Sequence, residues 1–487
     1  MSTVLQESQK VSVVISSTHP VVLVQLEYQI DYNEAAKTVV STGLGLVPFV
    51  GFALSALVTI FWPASKEDVW AEIEARMEAL VKRKIADRVW QETRDALAGL
   101  RNVVDDYVYV VREHPDDKEV ISQKWNIANG HFLHDLPRFQ SEGYELLLLP
   151  LFAQFANLHL TLLRDGAQHG ADWGWSQALV ESVRRKLAAT IAAYLEWAGK
   201  TYEAGLAEVD RTPGNSRHTE PFNTINRFRR EMTLTVLDFS LMWPYFDVIR
   251  YPDPVQVPVI REIYSDLCGT ADDSGVSLPA RPPTQPIRRV VVWGWDRVDA
   301  AQVDYPDGGG PDGRTSTGRM GNRSGGNDGD PWGGTYETAQ TGPVVRVDAR
   351  TGDILNAMWL TFENGARSRQ LGGRYPGGSD SAWQYPGEIL SSIRIMGVSR
   401  HYGSANAAVY GFKYKDERFP RPTAEVLRAL YMSDPASPTP RQFVEKLGLA
   451  PEEREQVVGW AGSNHWDMLR EVAVSAQAAR LAARAAE

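Results

Sequence analysis

The sequence predicts a multidomain protein of α and β structure: an α-helical bundle of about seven helices with a central hydrophobic helix, followed by a β-prism and a C-terminal helical tail. Three observations carry that prediction. Leu146 to Leu163 runs for eighteen residues without a charge, thirteen of them apolar, among segments whose apolar positions recur every three to four residues. Beyond a Pro-, Ser- and Asp-rich stretch at 271–286 the composition changes, and residues 305–380 hold 18 of the chain's 40 glycines between short alternating runs, the mark of strands joined by turns. Past Lys415 the helical period returns.

At 487 residues the chain is too long for one ordinary core. The boundaries are expected at 1–32 for a strand-like leader, 33–265 for the bundle, 266–286 for a linker, 287–416 for the prism and 417–487 for the tail. Cys268 is the single cysteine, which excludes an intramolecular disulfide and a cysteine-based metal site. A formal net charge of -10 disfavours general attraction to nucleic acid or anionic lipid and points to glycans, proteins or zwitterionic lipid as partners.

Each element follows from its residues. The first thirty positions carry one basic residue, Lys10, and alternate through Val11, Val13 and Ile15 and through Val22, Val24 and Leu26, so a leader of strand character is expected and no signal peptide is seen. Thr38 to Trp62 is uncharged, but Gly43, Gly45, Pro48 and Gly51 divide it into two short buried helices. An amphipathic run from Lys66 to Glu113 is expected to break near 82–84, and His114-Pro-Asp-Asp117 ends it. The next helix, Lys118 to Phe139, sets Val120, Ile121, Ile127, Phe132 and Leu133 against Glu119, Gln123, Asn126 and Asn129.

The apolar helix is placed at 142–164, and its uncharged core would be about 27 Å long. Being apolar on nearly all faces, it belongs at the centre of the bundle. Gly166, Gly170 and Gly174 predict the following loop, Ser176 can cap a helix reaching Val209, Arg211 to Arg217 is turn-rich, and a last helix runs from Pro221 to about Met242. In the glycine-rich region, Tyr305-Pro-Asp-Gly-Gly echoes Tyr375-Pro-Gly-Gly and Trp332-Gly-Gly echoes Leu371-Gly-Gly, a repeat that suggests three similar sheets. The tail reads as helices at 423–432, 441–447, 451–460 and from about 464 onward.

Local blocks add a family resemblance. Leu148-Leu-Pro-Leu-Phe-Ala-Gln-Phe-Ala-Asn-Leu-His-Leu-Thr-Leu-Leu-Arg-Asp165 with Trp173-Gly174 resembles the central fifth helix, and the loop after it, of the pore-forming first domain of the Cry insecticidal δ-endotoxins. Asn226-Arg-Phe-Arg-Arg-Glu-Met-Thr-Leu-Thr-Val-Leu-Asp238, with Trp243-Pro-Tyr and Arg250-Tyr-Pro252, resembles that domain's seventh helix and exit, and Arg261-Glu-Ile-Tyr264 is similar to the strand that follows. The β region is similar to jacalin-like β-prisms through Gly342-Pro-Val-Val-Arg-Val-Asp348, Phe362-Glu-Asn-Gly365 and Pro386-Gly-Glu-Ile-Leu-Ser-Ser-Ile393. In departure from the toxins, no third β-sandwich is read after the prism.

The resemblance implies a pore-forming toxin, insecticidal in that family, which inserts the hairpin of Lys118–Phe139 and the apolar helix into a membrane. Glu119, Gln123, Asn126 and Asn129 would face water, while Leu146, Leu149, Phe152, Phe155 and Leu163 would face lipid, with the polar Asn157 and His159 reading as hydrogen-bonded bundle contacts. The Arg227, Arg229 and Arg230 cluster reads as ion pairs with bundle or prism carboxylates. Arg112, Lys118, Arg211 and Arg217 are candidate protease-sensitive positions, and Tyr305, Trp332, Tyr375 and Trp383 are candidate receptor-loop residues.

The expected partners are a target-cell plasma membrane, a surface glycan or protein receptor and further copies of the chain, but no nucleic acid. A soluble protein, secreted or released from its producing cell, is expected. The alternative is a lectin-like carbohydrate-binding protein with a helical scaffold and no pore.

No enzyme is expected, with no catalytic residue, cofactor or metal ligand. Gly199-Lys200-Thr201 mimics the end of a phosphate loop, but Tyr194 stands where its first glycine is required. Asn327-Asp-Gly-Asp330 lacks the rest of a calcium loop, and Glu452, Glu453 and Glu455 oppose a nucleic-acid reading of 443–457.

Overall fold

The structure is a computed structural model, and it describes residues 54, 57, 58, 69–210, 219–252, 257–270, 276, 278–329, 331–373, 377–385, 387–399, 403–415 and 418–419. The expected leader, and the tail beyond 419, lie outside the described residues. Of the two short apolar helices, Leu54, Leu57 and Val58 are described; all three are helical and buried in the bundle core.

Six longer helices follow: α1 Val69–Val81, α2 Asp87–Glu113, α3 Lys118–Phe139, α4 Glu145–His169, α5 Gln177–Asp210 and α6 Thr219–Met232. The break between α1 and α2 falls where the lysines predicted it. Lys82 adopts a left-handed φ of 54°, and Glu78 reaches across the gap to accept the Ile85 N–H at 2.8 Å. Asp117 caps α3 by accepting from the Val120 N–H at 3.2 Å, and Ser176 caps α5 through the Leu179 N–H at 3.3 Å.

Two helix boundaries differ from expectation. α4 starts at Glu145 and continues through Gly166 to His169, so Gly166 belongs to a helix and not to a loop. The reason is packing: a Cβ on Gly166 would lie 2.7 Å from the Trp125 ring of α3, so its glycine permits a close helix–helix approach. Gly170 caps the helix and Gly174, at φ 83°, makes the turn. The last helix is also not one smooth rod. α6 gives way to a π-helical turn at Thr233–Leu237, a short helical piece Asp238–Ser240 and a 3-10 turn at Trp243–Phe246.

The strands are β1 Val257–Pro258, β2 Ile263–Tyr264, β3 Cys268–Gly269, β4 Arg289–Gly294, β5 Val298–Asp304, β6 Met320–Gly321, β7 Gly334–Glu337, β8 Val344–Thr351, β9 Leu355–Phe362, β10 Leu371–Gly372, β11 Ser379–Gln384, β12 Glu388–Val398, β13 Ala405–Tyr414 and β14 Arg418–Phe419. Apart from the β1–β14 pair, they form three antiparallel sheets: β6-β5-β4-β7, β10-β9-β8-β11, and β12-β13 with both β2 and β3 paired to β13. Alternate residues of all three, including Val290, Val303, Val347, Leu360, Ile393 and Phe412, meet in one core. Leu234 of the π turn joins that core while Val236 joins the bundle core, so this turn packs on two surfaces at once.

Candidate membrane-insertion element and its anchorage

α4 is the helix, among the described residues, long and apolar enough to cross a membrane; its most apolar eighteen residues have a mean hydropathy of 1.7 and are wholly buried. It touches α1, α3, α5 and the turns after α6. Leu146 packs where α5 has Gly205, whose Cβ would come within 2.4 Å of it, and Phe152 and Phe155 make edge-on or tilted ring contacts with Phe132, Phe139, Tyr194 and Trp243. Pro150 has no N–H to offer the Leu146 carbonyl, yet it sits within the first two turns and the helix continues past it.

Asn157 and His159 of α4 are buried and hydrogen-bonded to neighbouring elements of the bundle, as expected. Trp243 donates its indole N–H to Asn157 Oδ1 at 2.8 Å, and the Asn157 amide donates to Gln154 at 3.1 Å. His159 lies 2.6 Å from the Tyr194 hydroxyl through Nδ1 and 3.2 Å from Asn129 Oδ1 through Nε2, and its ring stacks on Phe132 at 4.9 Å. Arg164 donates to the Phe246 carbonyl at 2.8 Å. These bonds tie α4 to α3, to α5 and to the 3-10 turn at Trp243–Phe246, so together they fix its rotation and height in the bundle.

On α3 the buried stripe is Ile121, Trp125, Ala128, Phe132, Asp135 and Phe139, and Trp125 donates to the Leu162 carbonyl at 2.7 Å. Glu119, Gln123 and Asn126 are exposed, whereas Asn129 is half-buried against His159. Ile127 and Leu133 do not join the apolar face; they stand 43% and 46% exposed. At about 100° per residue, Ile127 lies two steps round from Trp125 and Leu133 one step round from Phe132, so the stripe of alternating four- and three-residue steps excludes both.

The remaining candidate positions are scattered. Arg112 sits half-buried in the last turn of α2, beside Glu113 at 3.4 Å, instead of in an exposed loop, while Lys118 is exposed at the start of α3. Tyr305 cannot be a receptor contact: it is 2% exposed and its hydroxyl donates to the Ser391 carbonyl at 2.8 Å. Trp383 lies half-buried in strand β11, 5.5 Å from the Tyr410 ring, and so is not a loop residue. Trp332 occupies a turn, half-buried, with its carbonyl accepting from Gly372 at 2.7 Å. Arg211, Arg217 and Tyr375 lie outside the described residues. Among those described, no cluster of three or more His, Cys, Asp or Glu side chains could hold a metal ion.

Two charged clasps join the bundle to the sheets. Arg227 and Arg230 of α6 grip Asp266 at 2.6 and 3.1 Å, while Arg229 points outward. Burial works to raise the Asp266 carboxyl, but the charges and hydrogen bonds of Arg230 and Arg227 outweigh it and hold the group below its ordinary range. In the second clasp, buried Arg261 bonds Asp238 after the π turn at 2.8 Å and Glu388 of β12 at 2.7 Å, and Tyr414 donates to Asp238 at 2.6 Å. The sequence offered the arginine cluster of α6 as a signal for the first clasp. It offered none for the second, whose partners are far apart in the chain.

With this geometry in place, comparison with known proteins finds likenesses for the bundle. Residues 39–247 match the delta endotoxin N-terminal domain. The chain aligns at 34% identity over 246 residues with the pesticidal crystal protein Cry26Aa of Bacillus thuringiensis subsp. finitimus, 48% of this chain and 21% of that protein. It aligns at 32% with Cry8Ba of Bacillus thuringiensis serovar kumamotoensis, over 47% of this chain and 20% of that protein. The chain thus spans about a fifth of the length of these curated relatives.

Among solved structures, the Bacillus thuringiensis insecticidal crystal protein Cry7Ca1 superposes with a TM-score of 0.65 at 19% identity, covering 79% of this chain and 75% of that one. PirB superposes with a TM-score of 0.63 at 16% identity, covering 80% of this chain and 96% of that one. These likenesses are of fold, and they extend beyond the endotoxin-like bundle into the sheets.

Proposed function

We propose that this chain is a pore-forming protein toxin, insecticidal in action, which is folded in water, recognises a target-cell surface through its sheets and inserts the α3–α4 hairpin into the membrane as a homo-oligomer. The observation that carries the reading is α4 itself, a helix of bilayer-spanning composition kept wholly from water by amphipathic neighbours. A helical hairpin satisfies its own backbone hydrogen bonds, so it can exchange the bundle interior for lipid without exposing unpaired amides. Exposed Glu119, Gln123 and Asn126 on α3 suit the water-lined side of such a hairpin, and several copies would be needed to enclose a lumen.

The domain limits at 33–265 and 287–416 are part of this proposal, as is the reading of the three sheets around one core as a jacalin-like β-prism. Of the candidate protease-sensitive positions among the described residues, Lys118 is the exposed one. The tail is assigned to packing or assembly.

Dye release from lipid vesicles and from membranes of susceptible insect cells tests the pore. A disulfide engineered between α4 and α5 should abolish release, and reduction should restore it; release that persists in the oxidised form would exclude the hairpin. Native Cys268 should not interfere, because it is buried and burial pushes its thiol up to about 12.

A further inference from the structure

The outward face of the sheet β10-β9-β8-β11 presents an aromatic ring among charged side chains that neither the pore nor the sheet core uses. Side chains alternate along a strand, so Arg346, Asp348 and Arg350 of β8 share one face while Val347 and Ala349 enter the core. Register places Trp359 opposite Asp348 and Asp380 opposite Arg350. Trp359 is half-buried, with the guanidinium carbons of Arg367 and Arg350 at 5.2 and 5.7 Å from its ring centre.

The charges are unevenly matched. Arg350 forms a two-pronged pair with Asp380 at 2.7 and 3.0 Å, and Arg346 engages Asp348 at 2.7 Å. Arg367 reaches the same Asp348 only at 3.5 Å, and its side chain is 53% exposed. Three guanidinium groups therefore share two carboxylates beside one indole, a local excess of positive charge on a chain whose net charge is -10.

We infer that this face binds an acidic sugar residue of a cell-surface glycan, with the sugar ring stacked on Trp359 and its carboxylate accepting hydrogen bonds from Arg367. The inference rests on the proposed role of the sheets in recognising a target cell, and it adds a place and a ligand class to that role. An indole offers a large apolar face with little rotamer freedom to lose, which suits the C–H face of a pyranose. A carboxylate on Arg367 makes charge-assisted bonds, about twice as strong as neutral ones. Arg350 and Arg346 are already oriented by their aspartates, so few side chains must be ordered on binding. Asp348 and Asp380 would repel a dense polyanion, so a singly charged sugar fits better than a highly sulfated chain.

The test uses the full chain and immobilised oligosaccharides ending in glucuronate or sialate, beside neutral counterparts ending in glucose or galactose. The acidic probes should bind about tenfold more tightly than the neutral ones, a difference of ~1.4 kcal/mol. Arg367→Gln should remove that preference while retaining neutral binding, and Trp359→Ala should remove both. Trp359→Phe, which keeps an aromatic ring in the sheet, should bind more weakly than the native protein but with the acidic preference intact. Equal binding of acidic and neutral probes, or native affinity in both tryptophan variants, would overturn the inference. Leakage of glycan-free vesicles by the native protein is measured in parallel, so that leakage without glycan preference rejects only this site, whereas absence of leakage rejects the pore.

Discussion

α4 and the strand β13 are both almost wholly buried, yet they are held in place by different means. β13 is tied along its length to β12 on one side and to β2 and β3 on the other, and removing it would leave the backbones of its neighbours unpaired. α4 bonds its own backbone internally and is tied to its surroundings by packing and by a few point contacts from Trp125, Tyr194, Trp243 and Phe246. Burial alone therefore does not say whether an element can leave. What matters is whether its amides keep their partners when it goes, and only the helix meets that condition.

The strongest way to break this comparison acts where the two regions meet. Arg261→Met would leave Asp238 and Glu388 buried without their shared cation, and the loss should reach about 3–5 kcal/mol, the usual result of removing one member of a buried ion pair. Thermal unfolding followed by far-UV circular dichroism, which reports mainly the helices, should then part from the β-sheet amide I band in the infrared. If the two signals stay superimposed and stability falls by less than about 1 kcal/mol, the clasp does not couple bundle to sheets.

A smaller effect is expected at Gly166→Ala. Its new Cβ would press on the Trp125 ring, which must shift and strain its 2.7 Å bond to the Leu162 carbonyl, at a cost of about 1–3 kcal/mol. The same substitution at Gly130, where a Cβ meets nothing within 4 Å, should be neutral or slightly stabilising because alanine favours helix. Melting curves of the two variants sharpen the contrast, since both glycines lie in helices of the proposed hairpin and only one marks an α3–α4 contact. Trp243→Phe should cost about 1–2 kcal/mol, because Asn157 Oδ1 loses its indole donor in a dry site while most of the ring packing remains.

How much of this was legible in the sequence depended on the range of the interaction. The limits of α3 are legible, because His114-Pro-Asp-Asp117 breaks the chain before it and the helical pattern runs on to Phe139. The burial of α4 was also readable, since a run without charges can only be hidden. Its C-terminal limit is not legible, because Gly166 serves a tertiary contact that looks the same in sequence as a loop glycine. Residue type alone places Ile127 and Leu133 on the apolar side of α3, whereas the helical angle turns them outward. Tyr305 looked like a loop aromatic beside glycines, but its hydroxyl finds a carbonyl 86 positions away. Arg261 and Glu388 stand 127 residues apart, and no local pattern could pair them.

The subtlest contrast lies between two carboxylates at the same junction. Asp266 is held below its ordinary range by Arg230 and Arg227 despite its burial, so its contribution to stability is present above the ordinary aspartate range and is lost as pH falls toward its folded value. Glu262 is raised by burial, which outweighs the hydrogen bonds from Ser391, Ser392 and Tyr264 and the charge of Lys413. Its contribution has the opposite sign, complete below the ordinary glutamate range and lost as pH rises through the folded value. Asp266→Asn should therefore flatten the acid side of the stability profile, and Glu262→Gln the side toward neutral pH, each measured by urea midpoint against pH. If both variants shift the whole curve without changing its slope, neither carboxylate titrates with folding and the junction is held by packing alone.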